Sequence, residues 1–359
     1  MERLPLRAGS AEERARRRAE QRVLAQRPQD LGVALRAARE AIERSRQNGD
    51  PRDLGTAQAW LQPWWTDAAA PAAARLLKAT VLQARHEFDA ALAELDRVLA
   101  APRLPAAVQA QAELTRASLL QVRGRWAEAR AGCQRLAAPP LSSPHGQACV
   151  AELDSLQGHA DAAARRLAEL DRAPNAPHAW LALLRAELAE RQGRPEAGPL
   201  YARALRLGDD PYARAAYADW LLDAKRPADA ATLVRPRQPD SLEALPDALL
   251  LRLAIAWHRL QEPDAARAAA EMQARLDAAA LRGDTSHARE RARFALDVRG
   301  DTAEALRQAT LNWAQQREPA DAVLLMRAAR AAQQPQAAEP VRRFMREQGL
   351  QDRRLKEPA

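Results

Sequence analysis

The stretch "HEFDAALAELDRVL", residues 86–99, decides the architecture, because it recurs in degraded form down most of the chain. It returns as "GRWAEARAGCQRLA" from Gly124, "GHADAAARRLAEL" from Gly158, "GRPEAGPLYARAL" from Gly193 and "KRPADAATLV" from Lys225. Further copies begin at Gln261, Gly300 and Gln333. A unit of this size cannot bury its apolar face alone, so successive copies must stack. The pattern predicts an all-α chain, an α-solenoid superhelix of about eight to nine helix-turn-helix repeats with no sheet.

Aligning the units on their inner turn gives the register. The small residue five places after each turn is Ala91, Ala129, Ala163, Gly198, Ala230, Ala266, Ala305 and Ala338, at intervals of 38, 34, 35, 32, 36, 39 and 33 residues. A second small residue lies twelve places earlier, at Ala79, Ala117, Ala151, Ala186, Ala218 and Ala254. Two helices of a hairpin cross where both present small side chains, since only there do the backbones approach closely. Helix pairs are expected at 71–84 with 87–100, 105–122 with 125–137 and 144–156 with 159–171, continuing to 319–332 with 335–348.

The breakers agree. Pro195, Pro227, Pro263 and Pro335 follow the inner turns, and Pro71, Pro144, Pro211 and Pro319 open the outer units, where a missing N–H costs nothing. Gly124, Gly158, Gly193 and Gly300 end first helices as C′ glycines do. His86 stands at such a turn and reads as structural. Pro199 and Pro340 fall inside expected helices and should kink them.

With a spacing near 34 residues, paired small positions, an aromatic after the turn (Phe88, Trp126) and proline at unit boundaries, the chain resembles tetratricopeptide repeats over residues 71–350. "GDPRDLGTAQAWLQPWW", residues 49–65, and "RGDTSHARERARFAL", residues 282–296, also resemble a family of bacterial repeat proteins. The resemblance implies a protein-binding scaffold and supplies no activity. The expected organisation is a charged capping segment at 1–29, a degenerate first repeat at 30–70, the array at 71–350 and a basic tail at 351–359. Trp60, Trp64 and Trp65 belong to that first repeat and are expected to pack on the unit beginning at Pro71 rather than form an open aromatic platform.

Of 359 residues, 47% are apolar but only 4% aromatic, so stability should accumulate from many thin alanine-rich interfaces. The net charge of +8 invites a nucleic-acid reading, yet the arginines scatter over both helices. The positions where RNA-reading repeats carry polar residues hold Leu76, Leu114, Ala148, Leu183, Ala215 and Leu251. Nucleic acid is therefore disfavoured as a partner. No apolar run approaches the ~20 residues of a membrane span. The first 30 residues lack a secretory apolar region, which places the chain as written in the cytoplasm, or in an exported compartment if a natural leader has been removed.

Nothing in the chain has the spacing of a phosphate loop, a nucleophile elbow or a metal site. The reading is a non-enzyme with no catalytic residue, no metal and no cofactor. Cys133 and Cys149 fall on adjacent helices of neighbouring repeats. A disulfide there would contribute ~3 kcal/mol by chain entropy. Two buried thiols are the expectation, because a stacked array needs no staple.

First helices line the inner face of such an array. The residues placed in that groove as partner contacts are Glu152, Trp180, Glu187, Glu190, Tyr212, Asp219, Asp223, His258, Arg259, Glu290, Phe294 and Asp297. Five carboxylates beside Trp180 and Tyr212 suggest a basic or aromatic-containing peptide. An equally weighted arrangement pairs each acid with a nearby arginine, such as Glu187 with Arg191. Tetratricopeptide domains that clamp a C-terminal carboxylate use Lys, Asn and Arg in the groove, which these positions lack. The leading expectation is a scaffold binding a protein or peptide in its concave face. An accessory subunit of a membrane or envelope complex using its convex face, and a nucleic-acid-associated repeat, are the alternatives.

Overall fold

The computed structural model describes residues 11–27, 29–236, 242–281 and 287–356. Nineteen α-helices are present among them, and no strand. An isolated helix, α1 (Ala11–Gln26), has all its described side chains exposed. Residues 1–10 and 28 of the expected N-terminal segment lie outside the described residues. Nine hairpins follow. They are α2 (Leu31–Asn48) with α3 (Pro51–Trp65), α4 (Ala72–Ala84) with α5 (Phe88–Leu99), and α6 (Ala106–Val122) with α7 (Trp126–Ala137). Next come α8 (Pro144–Leu156) with α9 (Ala160–Leu170), α10 (His178–Gln192) with α11 (Ala197–Leu207), and α12 (Pro211–Asp223) with α13 (Pro227–Val234). The last three are α14 (Asp247–Leu260) with α15 (Ala265–Leu281), α16 (Ala288–Phe294) with α17 (Thr302–Gln315), and α18 (Pro319–Ala331) with α19 (Glu339–Gln348). The chain is thus an all-α helical repeat with the expected hairpins. Contacts divide it into two compact units, Met1–Thr115 and Arg116–Ala359.

The crossings sit where small residues recur. Ala79, Ala117, Ala151, Ala186, Ala218 and Ala254 are buried, as are Ala91, Ala129, Ala163, Ala230 and Ala305. At Gly198 an added Cβ would lie 2.6 Å from the Trp220 ring. Ala266 departs from the rule and is exposed, while Ala268 is 0% exposed. Residues 265–270 read Ala-Ala-Arg-Ala-Ala-Ala, so alanine content there carries no phase. The phase comes from the large buried side chains Met272 and Leu276, and Ala268 lies one turn before Met272.

The inner turns share a left-handed residue. Gly124, Gly158, Gly193 and Gly300 supply it, and so do His86, Lys225, Gln261 and Gln333 with φ of 56° to 60°. Pro199 does not kink α11, because it falls in the first turn, where its missing N–H has no acceptor to lose. Pro340 does interrupt its unit: a 3-10 turn at Pro335–Ala338 precedes α19, which restarts at Glu339.

In the first unit, Trp60 is 3% exposed and belongs to one core with Ala38, Leu61, Ala74, Leu77 and Val81. Trp64 and Trp65 are half-buried against that core, and the Lys78 ammonium lies 5.4 Å over the Trp65 ring. The tryptophans thus seal the first hairpin onto the next.

In the second unit the array returns on itself. Phe344 of α19 stands edge-on to Trp126 of α7, at 5.1 Å, and to Trp313 of α17, at 5.4 Å. The Arg317 amide donates to the Val122 carbonyl at 2.7 Å, and the Gln351 amide to that of Leu156 at 2.9 Å. Cys133 on α7 and Cys149 on α8 are joined by a disulfide, which corrects the expectation of free thiols. Their Cα atoms are 5.6 Å apart, within bridging range.

The crossing rule makes a paired prediction. Ala129→Leu should overpack its hairpin and lower stability by ~1–3 kcal/mol, whereas Ala266→Leu should stay within about 0.5 kcal/mol of the parent. Equilibrium urea denaturation of both variants checks it, and equal losses would mean that the α15 phase described above is wrong.

Candidate functional site

The first helices of the second unit bring the carboxylates together. Glu152 stands on α8, Glu187 and Glu190 on α10, and Asp219 and Asp223 on α12. Their charges act on one another: Glu152 and Glu190 on Glu187, and Asp219 and Asp223 on Glu190. Tyr212 donates its hydroxyl to Glu187 Oε1 at 3.0 Å. The Tyr212 side chain is 56% exposed, yet it stands among Glu187, Glu318 and Arg289. It is therefore open to water while lying within the electrostatic reach of residues of the later repeats.

Burial governs how these acids titrate. Enclosure pushes the Glu187 carboxyl from 4.5 up to about 8, with the Glu152 charge adding to it and Arg191 opposing. Burial also raises Glu152, against Arg191 and a hydrogen bond from Gln121. Asp223 keeps exposed surface at the end of α12, yet the protein mass around it raises its carboxyl against the fields of Arg293 and Arg354. No ion pair to Glu152, Glu187 or Asp223 is formed among the described residues, so the Glu187–Arg191 pairing considered from the sequence is not made. Arg191 instead donates to Ser155 Oγ at 2.6 Å, and its Nε has no partner.

The remaining acids are neutralised by arginine. Burial raises Asp219, but Arg252 grips it with contacts of 3.0 and 2.6 Å and Arg293 adds a third, which holds it well below the usual carboxylate range. Glu190 accepts from Tyr201 and from Arg354, although burial still raises it. Asp297 faces Arg327, Arg293 at 3.6 Å and Arg259 at 3.9 Å. For Glu290, burial is overcome by the charges of His287, Arg289 and Arg252, which lower it.

The other expected groove residues fall elsewhere. Phe294 is 3% exposed and packs in the core with Leu250, Leu253 and Trp257, so it presents no surface to a partner. Trp180 stacks on His145 at 5.3 Å near the start of α10. His258 and Arg259 are exposed at the end of α14, where Arg259 donates to the Leu222 carbonyl at 2.8 Å.

Pairing of the acids with arginine was weighed from the sequence only locally, as Glu187 with Arg191, and the cross-repeat partners were missed. Arg252 pairs with an acid 33 residues away, Arg289 with one 32 away and Arg327 with one 30 away. Each offset is close to one repeat, so opposite charges at that spacing on first helices were the available signal. No group of three or more His, Cys, Asp or Glu side chains among the described residues is arranged to hold a metal ion. No helix of the described residues is long and apolar enough to cross a membrane.

The hairpins are tetratricopeptide-like in unit length, paired small crossings and left-handed inner turn. No family model matches the chain, and no curated protein matches it. Among solved structures it is similar to the crystal structure of the P58(IPK) TPR domain, at 16% identity, covering 88% of this chain and 92% of that one with a TM-score of 0.22.

Glu187 sets a pH test. An acid raised from 4.5 to about 8 stabilises the fold fully below the lower value and loses that contribution as pH rises through the upper one. Glu187→Gln should match the parent near pH 4 and exceed it by about 1–3 kcal/mol above pH 8. Thermal unfolding across that range measures the difference, and a gap independent of pH would remove the assignment.

Proposed function

We propose that the chain is a non-enzymatic interaction scaffold whose second unit binds a basic, aromatic-containing peptide or protein segment in its acidic concavity. The observation that carries this reading is the combination of Glu187 and Asp223, without ion-pair partners among the described residues, with the wetted ring of Tyr212. A fully paired carboxylate has little field left for a ligand, so Asp219, expected from the sequence as a contact, serves here as an internal anchor of Arg252 and Arg293. The free acids set orientation and association rate, and the aromatic ring supplies apolar area. A guanidinium arriving beside Glu187 favours its ionised form, so binding releases a proton there.

The test is fluorescence anisotropy with a labelled octapeptide of alternating arginine and tyrosine, at about 0.15 M salt. Saturable binding is expected, tightening from pH 6 to pH 8.5 as Glu187 gives up its proton. Glu187→Lys with Asp223→Lys should weaken it by roughly tenfold or more, about 1.4 kcal/mol, compared at a temperature where circular dichroism shows both proteins folded. Equal affinity in parent and variant would exclude the concavity as the site.

A further inference from the structure

The C-terminal segment of the chain already sits at the edge of this concavity. It passes the inner turns of three successive hairpins in order. At Gly124 an added Cβ would lie 2.7 Å from the Phe344 ring, at Gly158 2.7 Å from Gln351 Nε2, and at Gly193 1.8 Å from Arg353 Nη1. Left-handed backbone does not by itself demand glycine here, since four other turns place His86, Lys225, Gln261 and Gln333 in it. Close approach of the returning segment is the added constraint at these three turns.

The segment ends in a 3-10 turn, Arg353–Leu355, packed against α10 and α18. Asp352 is buried and caps this turn, accepting from the Arg354 amide at 2.9 Å and gripping the Arg354 guanidinium with its carboxylate. So held, Arg354 reaches Glu190 at the end of α10 and lies in the field of Asp223. Arg353 donates to the Gly193 carbonyl at 3.1 Å. Leu355 is buried beneath them. Two guanidiniums and one apolar side chain thus satisfy one acid, one orphan helix-end carbonyl and one apolar seat.

We infer that Arg353–Leu355 is an internal ligand of the acidic edge, and that the partner competing for this edge carries two consecutive basic residues followed by an apolar one. The inference deepens the functional reading above and rests on it for the role of the concavity, but the contacts of the segment stand independently. An external segment that takes Glu190 and the Gly193 carbonyl must displace the resident one. The resident segment therefore sets a threshold of affinity that singly charged or purely electrostatic ligands do not pass.

The probe is a synthetic peptide spanning residues 349–359, added in trans. The full-length Arg353→Ala/Arg354→Ala variant should bind it saturably, and the parent at least tenfold more weakly, because its own segment competes. Adding Glu190→Gln to the variant should abolish binding. Equal binding by parent and variant, or none by a variant whose circular dichroism and melting show it folded, would overturn the inference. A measurement on the parent avoids any folding defect. Saturating probe should speed hydrogen exchange at the amides of residues 351–356 at least tenfold while leaving α10 unchanged, and unaltered protection of that segment would equally overturn it. Binding of the probe to the variant, with no binding of the arginine–tyrosine octapeptide either to the parent or to that variant, would remove the functional reading and leave the internal ligand in place. The opposite pattern would remove the internal ligand alone.

Discussion

The wedging of Phe344 between Trp126 and Trp313 is the contact on which the character of the second unit depends. A repeat array in which each hairpin touches only its neighbours leaves its inner face open to bulk water. Here an aromatic ring from the last hairpin is buried against the first hairpin of the unit. Hydrogen bonds from Arg317 to Val122, from Gln157 to the Gln348 carbonyl and from Gln351 to Leu156 extend the seam. Edge-to-face aromatic pairs contribute ~0.5–1.5 kcal/mol beyond their burial, so two of them on one ring are comparable to several alanine contacts. Enclosure follows from the seam, and it changes what the acids on the inner face are. In an open groove Glu187 would be an ordinary surface carboxylate. Facing Glu152, Glu190 and the later repeats, it keeps its proton to about pH 8.

Two opposing terms sort the inner carboxylates. Desolvation raises every one of them, and of the five only Asp219, gripped by two guanidiniums, has that effect reversed. Glu190 has one, shared with Asp352, and is still raised. Glu152, Glu187 and Asp223 feel arginines only at longer range and are raised as well. The distinction between anchor and recognition residue is therefore contact with a guanidinium, not position along the groove. The anchors also couple repeats: Arg293 joins Asp219 two repeats earlier, and Arg289 joins Asp321 and Glu318 one repeat later.

Hairpin count, boundaries and crossing positions were legible in the sequence because they depend on local spacing, turn chemistry and side-chain size. The signal failed where size was degenerate, as in the alanine run at 265–270, whose phase is set by Met272 and Leu276. Phe294 shows a second limit. It lies on a first helix with the acids of the inner face, but the helix passes into a π-helical turn at Ala295–Arg299 and its ring enters the core. The Cys133–Cys149 bond depended on a Cα separation that spacing alone does not fix. The closure was least legible of all, since nothing local in residues 344–355 records which turns they meet. Only the placement of glycine at 124, 158 and 193 carries a trace of it.

Many arginines of the second unit are held in internal ion pairs. Arg203 is bound to Asp171, Arg252 and Arg293 to Asp219, Arg275 to Asp247 and Glu271, Arg289 to Asp321, and Arg354 to Glu190. Guanidiniums occupied in this way offer little to a phosphate backbone, whose binding requires cations free to release counterions. Arginine is used here as an internal fastener, and the surface it leaves unsatisfied inside the concavity is acidic. That surface is selective in a particular sense. A weak or distant cation cannot draw the proton from Glu187 at neutral pH, because its field there must exceed the desolvation that holds the proton. The two guanidiniums seated on Asp219 do exceed it there, whereas the single one on Glu190 does not. On the proposed reading, a partner would have to bring close, geometrically fitted basic side chains, and diffuse positive charge would not suffice.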